Sequence, residues 1–149
     1  MSHSLSCNYI HLIFSTKYRE QYITPDAEPS LYAYIKGTCE NLESPVVAIG
    51  GMPDHIHILL RMSKNVSLVT LVKEIKVNSS KWIKQQNNIP HFYWQIGYGA
   101  FSVSPQNTIR VYNYILNQKE HHKQESFQQE YLTILKQSKA DFDERYIWD

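Results

Sequence analysis

The chain has 149 residues, a hydrophobic fraction of 42% and a formal net charge of +1. That length suits one domain with a real core, expected over residues 1–149, and a charge near zero neither demands nor excludes a nucleic-acid partner. The sequence shows no secretion leader, no bilayer-spanning run and no Cys-x-x-Cys spacing, so a cytoplasmic protein with Cys7 and Cys39 as buried thiols is expected.

Residues 7–16 (CNYIHLIFST) are rich in β-branched and aromatic types and predict a first strand. Thr24, Pro25 and Pro29 open a helix that runs through Leu31, Ile35 and Thr38 and ends before Pro45. A short second strand over 46–50, a turn at Gly50-Gly51-Met52-Pro53 and a third strand over 54–62 make a hairpin. Ser67 caps the next helix, in which Leu68, Leu71, Val72, Ile75 and Ile83 follow helical spacing. Residues 92–95 and 98–103 predict further strands around Gly97. Ser104 and Pro105 start a third helix extending to about residue 123, and a more polar helical tail covers about 126–149. The order β-α-β-β-α-β predicts an α+β, ferredoxin-like (RRM-like) antiparallel sheet with an added C-terminal helix. Such a fold hosts many functions, so the site must name the chemistry.

The segment Asp54-His55-Ile56-His57-Ile58 carries the most information. Side chains alternate along a strand, so His55 and His57 share a face roughly 7 Å apart, with Ile56 and Ile58 on the opposite apolar face. Two imidazoles on a rigid strand can hold a divalent ion. Leu59 stands where the histidine-triad nucleotide hydrolases need a third histidine, which excludes them.

Helical phase in the third helix puts Ile109, Tyr112, Ile115 and Leu116 on one face, the expected buried stripe. Tyr114 and Gln118, four apart, lie nearly opposite with Asn107 and His121, so Tyr114 is expected to point outward beside an amide. A tyrosine hydroxyl can attack a phosphorus that a metal polarises, and an amide oxygen can be a neutral metal ligand. His121 and His122 diverge by about 100° in a helix, so they are expected to form a solvated or hydrogen-bonded pair. Lys73, Lys76, Lys81 and Lys84 fit the wet side of an amphipathic helix; alternatively Lys17, Arg19, Arg61, Lys73 and Lys76 are phosphate contacts. Tyr18 and Trp94 are candidate stacking platforms for unpaired bases, with core packing the other reading of Trp94.

Taken together these segments resemble the single-tyrosine HUH transposases of small bacterial insertion sequences, of the insertion-sequence-200-like type, and their REP-associated relatives. The resemblance rests on the strand 11–19 (HLIFSTKYR), on Met52-Pro53-Asp54-His55-Ile56-His57, on 98–104 (YGAFSVS), and on Tyr114-Ile115-Leu116-Asn117-Gln118 followed by His121-His122. It implies His55, His57 and Gln118 as ligands of Mg²⁺ or Mn²⁺, and Tyr114 as the nucleophile on the helix at about 105–123. It further implies cleavage and rejoining of single-stranded DNA through a 5′-phosphotyrosine link, hairpin-containing element ends as substrate, and a homodimer whose active site is completed in trans. Lys17, Tyr18, Arg19, Arg61, Lys73 and Lys76 are the expected DNA contacts. Two other readings share part of the pattern. One is a single-strand nickase of the replication-initiator or relaxase kind, against which the short length and Gln118 argue. The other is a non-catalytic single-stranded nucleic-acid-binding domain, expected to show aromatics on its central strands, where only Tyr9 is offered.

Overall fold

The structure is a computed structural model that describes residues 3–86 and 89–149; Met1 and Ser2, part of the opening read for a leader, lie outside them. β1 (Asn8–Ser15) is central and pairs antiparallel with both β3 (His55–Met62) and β4 (Gly99–Val103). β2 (Val46–Met52) pairs antiparallel with β3, giving the order β2-β3-β1-β4. Two helices intervene, α1 (Glu28–Asn41) and α2 (Leu68–Gln86), so the expected ferredoxin-like α+β arrangement is the observed one. Ser67 caps α2 as expected, its Oγ accepting the Thr70 N–H at 3.2 Å.

Alternation along the strands sorts the two sheet faces. Leu12, Phe14, Ile56, Ile58 and Leu60 are fully buried against Leu31 and Ile35 of α1 and Leu71 and Ile75 of α2. Each such side chain contributes roughly 1.5–3 kcal/mol of transfer free energy, which fixes the strand register. His11, Ile13, His55, His57 and Leu59 therefore face the other way. That face is covered by α3 (Thr108–Leu116), α4 (Gln118–His121) and α5 (Phe127–Gln137).

Several local expectations are revised. β2 continues through Met52, so the hairpin turn falls at Pro53-Asp54 and not at the glycines. Residues 92–95 form no strand: Trp94 makes one isolated bridge to Thr16, while the Trp94 ring enters the core edge-on to Phe14 at 4.8 Å and Phe92 at 4.7 Å. The helix expected over 105–123 is three pieces, a short 3-10 turn at Pro105–Asn107, then α3, then α4. Asn117, at φ −99° and ψ 17°, interrupts it, and its N–H bonds the Asn113 and Tyr114 carbonyls as an ending turn does. Cys39 is buried, but Cys7 is exposed just before β1. The expected helical tail is helical over Phe127–Gln137 and not over 138–149; Ser126 and Gln129 make a reciprocal capping box at its start.

Gly50 matters because α3 crosses β2 closely: a Cβ built there runs into the Ile115 carbonyl. The obstacle is backbone, so it cannot rotate away. Gly50→Ala should push α3 off the sheet and destabilise the fold by about 1–3 kcal/mol, as overpacking does. Urea unfolding measures it; an unchanged midpoint would show that the approach is looser than the geometry indicates.

Candidate active site

His55 and His57 are fully buried at the start of β3, side by side with ring centroids 5.2 Å apart. The His55 Nδ1–H donates to Asp54 Oδ1 at 2.7 Å, which leaves Nε2 aimed inward. His57 Nδ1 lies 2.9 Å from His11 Nε2 on the neighbouring strand, and its Nε2 lies 2.9 Å from Glu130 Oε1. Each imidazole is thus fixed by one nitrogen and presents the other, the arrangement that orients metal-binding histidines.

The helical phase expected for α3 is overturned. Ile109, Tyr112 and Leu116 are 72%, 38% and 56% exposed, and of that stripe only Ile115 is buried. The face that meets the sheet is Val111, Tyr114 and Ile115, packed on Ala48 and Leu59. Tyr114 is half-buried, its ring 5.8 Å from His57 and 6.2 Å from His11, and its hydroxyl donates to Glu130 Oε2. Its position opposite the stripe was right and the outward direction wrong, because the stripe is the outward face. Gln118 is buried, with Oε1 3.3 Å from His55 Nε2 and 2.9 Å from His122 Nε2. The structure therefore brings His55, His57, Tyr114 and Gln118 together.

Two residues join them to which sequence reasoning gave no ligand role. Glu130 of α5 is 2% exposed and touches the Nε2 atoms of His55, His57 and His122 at 3.5, 2.9 and 3.1 Å. His122 reaches in because α4 ends at His121, so the angular rule for adjacent helical residues no longer applies. Donor atoms of His55, His57, His122 and Glu130 all lie within 4.8 Å of one another. Three imidazole nitrogens, a carboxylate and the Gln118 amide oxygen form a donor set that fits a divalent cation. The signal for Glu130 was weak: one acid on a polar helix, twelve residues past Gln118.

Burial dominates the electrostatics. It pushes His11 down to about 3, assisted by His57 and opposed by Glu130. It also holds His57 below its ordinary value despite the hydrogen bond to Glu130. At His55 burial works in the same direction, but hydrogen bonds to Asp54 and Glu130 and their charge prevail and raise it. Burial alone would raise Glu130; hydrogen bonds from His122, His55 and His57 overcome it and keep the carboxylate ionised. Burial and the Glu130 charge raise Tyr114, so its hydroxyl keeps its proton until something compensates.

The expected DNA contacts fall in different places. Lys17, Tyr18 and Arg19 form a 3-10 turn just past β1, beside the Asp54 end of β3. Arg61 is exposed six residues along β3 from His55, about 20 Å away. Lys73 and Lys76 belong to α2, on the opposite side of the sheet from the histidines. Lys76 has no donor left for a phosphate. Its ammonium donates to the carbonyls of Gln95, Ile96 and Gly97 at 2.9, 3.1 and 2.7 Å, and burial lowers it to about 8. Trp94 is no platform either, since it is buried and its Nε1–H donates to Ser79 Oγ at 2.9 Å.

Comparison with known proteins points to one family. The family described as "Transposase IS200 like" matches residues 4–118. The transposase for insertion sequence element IS200 of Salmonella typhimurium is 27% identical over 124 residues, covering 79% of this chain and 80% of its own length. The Salmonella typhi transposase for the same element matches equally. Among solved structures, a candidate transposase from Deinococcus radiodurans R1 superposes with a TM-score of 0.63 at 25% identity, over 79% of this chain and 95% of that one. A REP-associated tyrosine transposase bound to a REP hairpin shares the fold, with a TM-score of 0.62 at 13% identity over 82% and 72% of the two chains. His122 and Glu130 lie beyond the family match.

His11 yields a pH prediction. Its folded value of about 3 lies below the ordinary 6.5, so between those values the unfolded chain binds a proton that the folded chain does not. Stability should therefore fall as pH drops from about 6.5 toward 3. In a chelator, His11→Gln should lose less melting temperature than the parent over that interval. Equal losses would mean that His11 does not carry the acid sensitivity.

Proposed function

The chain belongs to the IS200-like transposase family, and on that premise we propose that it cleaves and rejoins single-stranded DNA at the ends of a small insertion sequence, with Tyr114 as nucleophile. One observation carries this reading: the Tyr114 hydroxyl sits at a buried cluster of His55, His57, His122 and Glu130. A structural tyrosine has no need of so costly a polar neighbourhood.

His55, His57 and Gln118, with His122 and Glu130, would hold the divalent cation, Mn²⁺ or Mg²⁺. Such an ion supplies Lewis acidity that withdraws charge from the phosphoryl oxygens. The nitrogen-rich donor set favours Mn²⁺, since Mg²⁺ is usually bound through oxygen. To ligate through Nε2, His57 must carry its proton on Nδ1, where His11 Nε2 accepts it; burial supports this by keeping His11 uncharged. Tyr114 Oη attacks the phosphorus, its proton passing to Glu130 Oε2, the acceptor it already bonds. The bond from phosphorus to the DNA 3′-oxygen breaks, that oxygen takes up the proton given up by Tyr114 and leaves as a free hydroxyl, and a 5′-phosphotyrosine bond remains. A 3′-hydroxyl later attacks such a bond and releases Tyr114, so strands are exchanged without nucleotide hydrolysis.

The substrate is DNA with hairpin-containing element ends, a reading supported by the REP hairpin bound to the REP-associated relative. The working unit is a homodimer in the cytoplasm, joined through the exposed stripe Ile109, Tyr112 and Leu116. Tyr114 already reaches the histidines of its own chain, which favours an active site completed in cis over one completed in trans.

Incubated with Mn²⁺ and single-stranded element ends, the protein should give a protein–DNA adduct that survives denaturation. Tyr114→Phe, or a chelator, should abolish it. An adduct of equal yield from Tyr114→Phe would dismiss Tyr114 as the nucleophile. For the dimer, Ile109→Lys with Leu116→Lys should convert the sedimenting species to a monomer without lowering the melting temperature. A wild-type chain that sediments as a monomer at micromolar concentration would remove the dimer from the reading.

A further inference from the structure

Two consecutive non-glycine residues, Tyr18 and Arg19, sit in the left-handed region, each at φ 57°. Positions of that kind are strained and persist only where the surroundings over-determine them. The surroundings here do so. Thr16 is fully buried; its N–H donates to the Asp54 carbonyl at 2.9 Å and its hydroxyl to the Glu20 carbonyl at 2.6 Å. The Arg19 N–H returns to the Thr16 carbonyl at 3.1 Å, and the Lys17 N–H donates to the Tyr93 carbonyl at 2.7 Å. The outcome is a tyrosine held 70% exposed, next to Tyr93 at 52%. The same turn sets the Arg19 guanidinium 5.6 Å from the Trp148 ring centroid, yet it leaves the Tyr18 ring largely in water.

The charges around these rings identify what they fit. Lys17 Nζ lies 5.4 Å from the Tyr18 ring centroid and 6.0 Å from that of Tyr93, and Lys84 Nζ lies 4.0 Å above Tyr93. Two exposed flat rings with ammonium groups on them match a ligand that is planar and apolar in one part and anionic in the next. Unpaired nucleobases joined by phosphodiesters have that pattern, and each base has a face to stack. The acids nearby are Glu20 in the same turn, Asp54, whose side chain is engaged by His55, and Asp149, which lines the adjoining cavity with Trp148. Position supports the same occupant: Asp54, which holds Thr16 through its carbonyl, orients His55 through its side chain.

We propose that Tyr18 and Tyr93, with Lys17 and Lys84, form a stacking site for unpaired bases of the single DNA strand that runs to the scissile phosphate. This rests on the transposase reading and adds a subsite to it. Bases stack on the two rings while Lys17 and Lys84 swing to the flanking phosphates. Tyr93 thus takes the role expected of its neighbour Trp94.

The test uses the full chain with a single-stranded oligodeoxynucleotide carrying 2-aminopurine, in chelator so that no strand is cut. Tyr18→Ala and Tyr93→Ala should each weaken binding by about 5- to 100-fold and relieve the 2-aminopurine quenching. Tyr18→Phe and Tyr93→Phe should bind like the parent. Lys17→Gln should lower the slope of log affinity against log salt by about 0.7. Alanine variants that bind like the parent, or phenylalanine variants that lose as much as alanine, would overturn the proposal. As a check free of substitutions, 5-iodouracil crosslinks in the parent should map to the peptides holding Tyr18 and Tyr93, and crosslinks confined elsewhere would overturn it. Tyr114→Phe should keep this binding while giving no adduct, so loss of the platform and loss of the transposase reading are told apart.

Discussion

The structure turns on one buried carboxylate. Glu130 accepts hydrogen bonds from histidines of β3 and of the segment after α4, and from the tyrosine of α3. An ionised group this deep is tolerable only if nearly every lone pair is occupied, and removing a partner from such a cluster typically costs about 3–5 kcal/mol. The requirement runs both ways. Histidines pointing away from the α1–α2 core need an anion, and the anion needs them, so α5 is docked by polar convergence as well as by Phe127, Tyr131 and Leu135. The same convergence supplies the donors that a cation would use, which ties the stability of this face to its chemistry.

The legible part of the sequence was the part governed by simple periodicity. Ile56 and Ile58 alternate with His55 and His57, and a period of two can be read without knowing what covers either face. The Ser67 cap is equally local and forms, whereas Ser104 makes no side-chain cap and Pro105 opens only a short 3-10 turn ahead of α3. Strand order and fold class followed from the element sequence.

Helix α3 shows the limit of that method. Amphipathic analysis assumes that the apolar stripe is the buried one. Here the sheet beneath offers Ala48 and Leu59 beside His11 and His57, so the buried face of α3 carries Val111 and Ile115 together with Tyr114 and leads on to Gln118. The most apolar stripe was left for solvent or a second subunit. Glu130 was illegible for a related reason: a lone acid on a polar helix resembles any solvated surface residue, and its meaning comes from the folding back of α5. Lys76 shows the converse. A lysine suited to a phosphate is consumed by three carbonyls of the 95–97 loop, a demand that appears only once that loop is in place.

The interactions that define the cluster join residues far apart in sequence: His11 to His57 across 46 positions, His55 to Gln118 across 63, His57 to Glu130 across 73. Contacts of such separation form after the loops between them close, so the cluster is assembled late, when β1 and β3 are registered and α5 has docked. An unfolded or half-made chain offers the His55–His57 pair apart from His122 and Glu130, and so lacks the four-residue cluster. On the proposed function, cation affinity is a property of the completed fold, and nascent or misfolded chains would neither sequester the ion nor present Tyr114 to DNA.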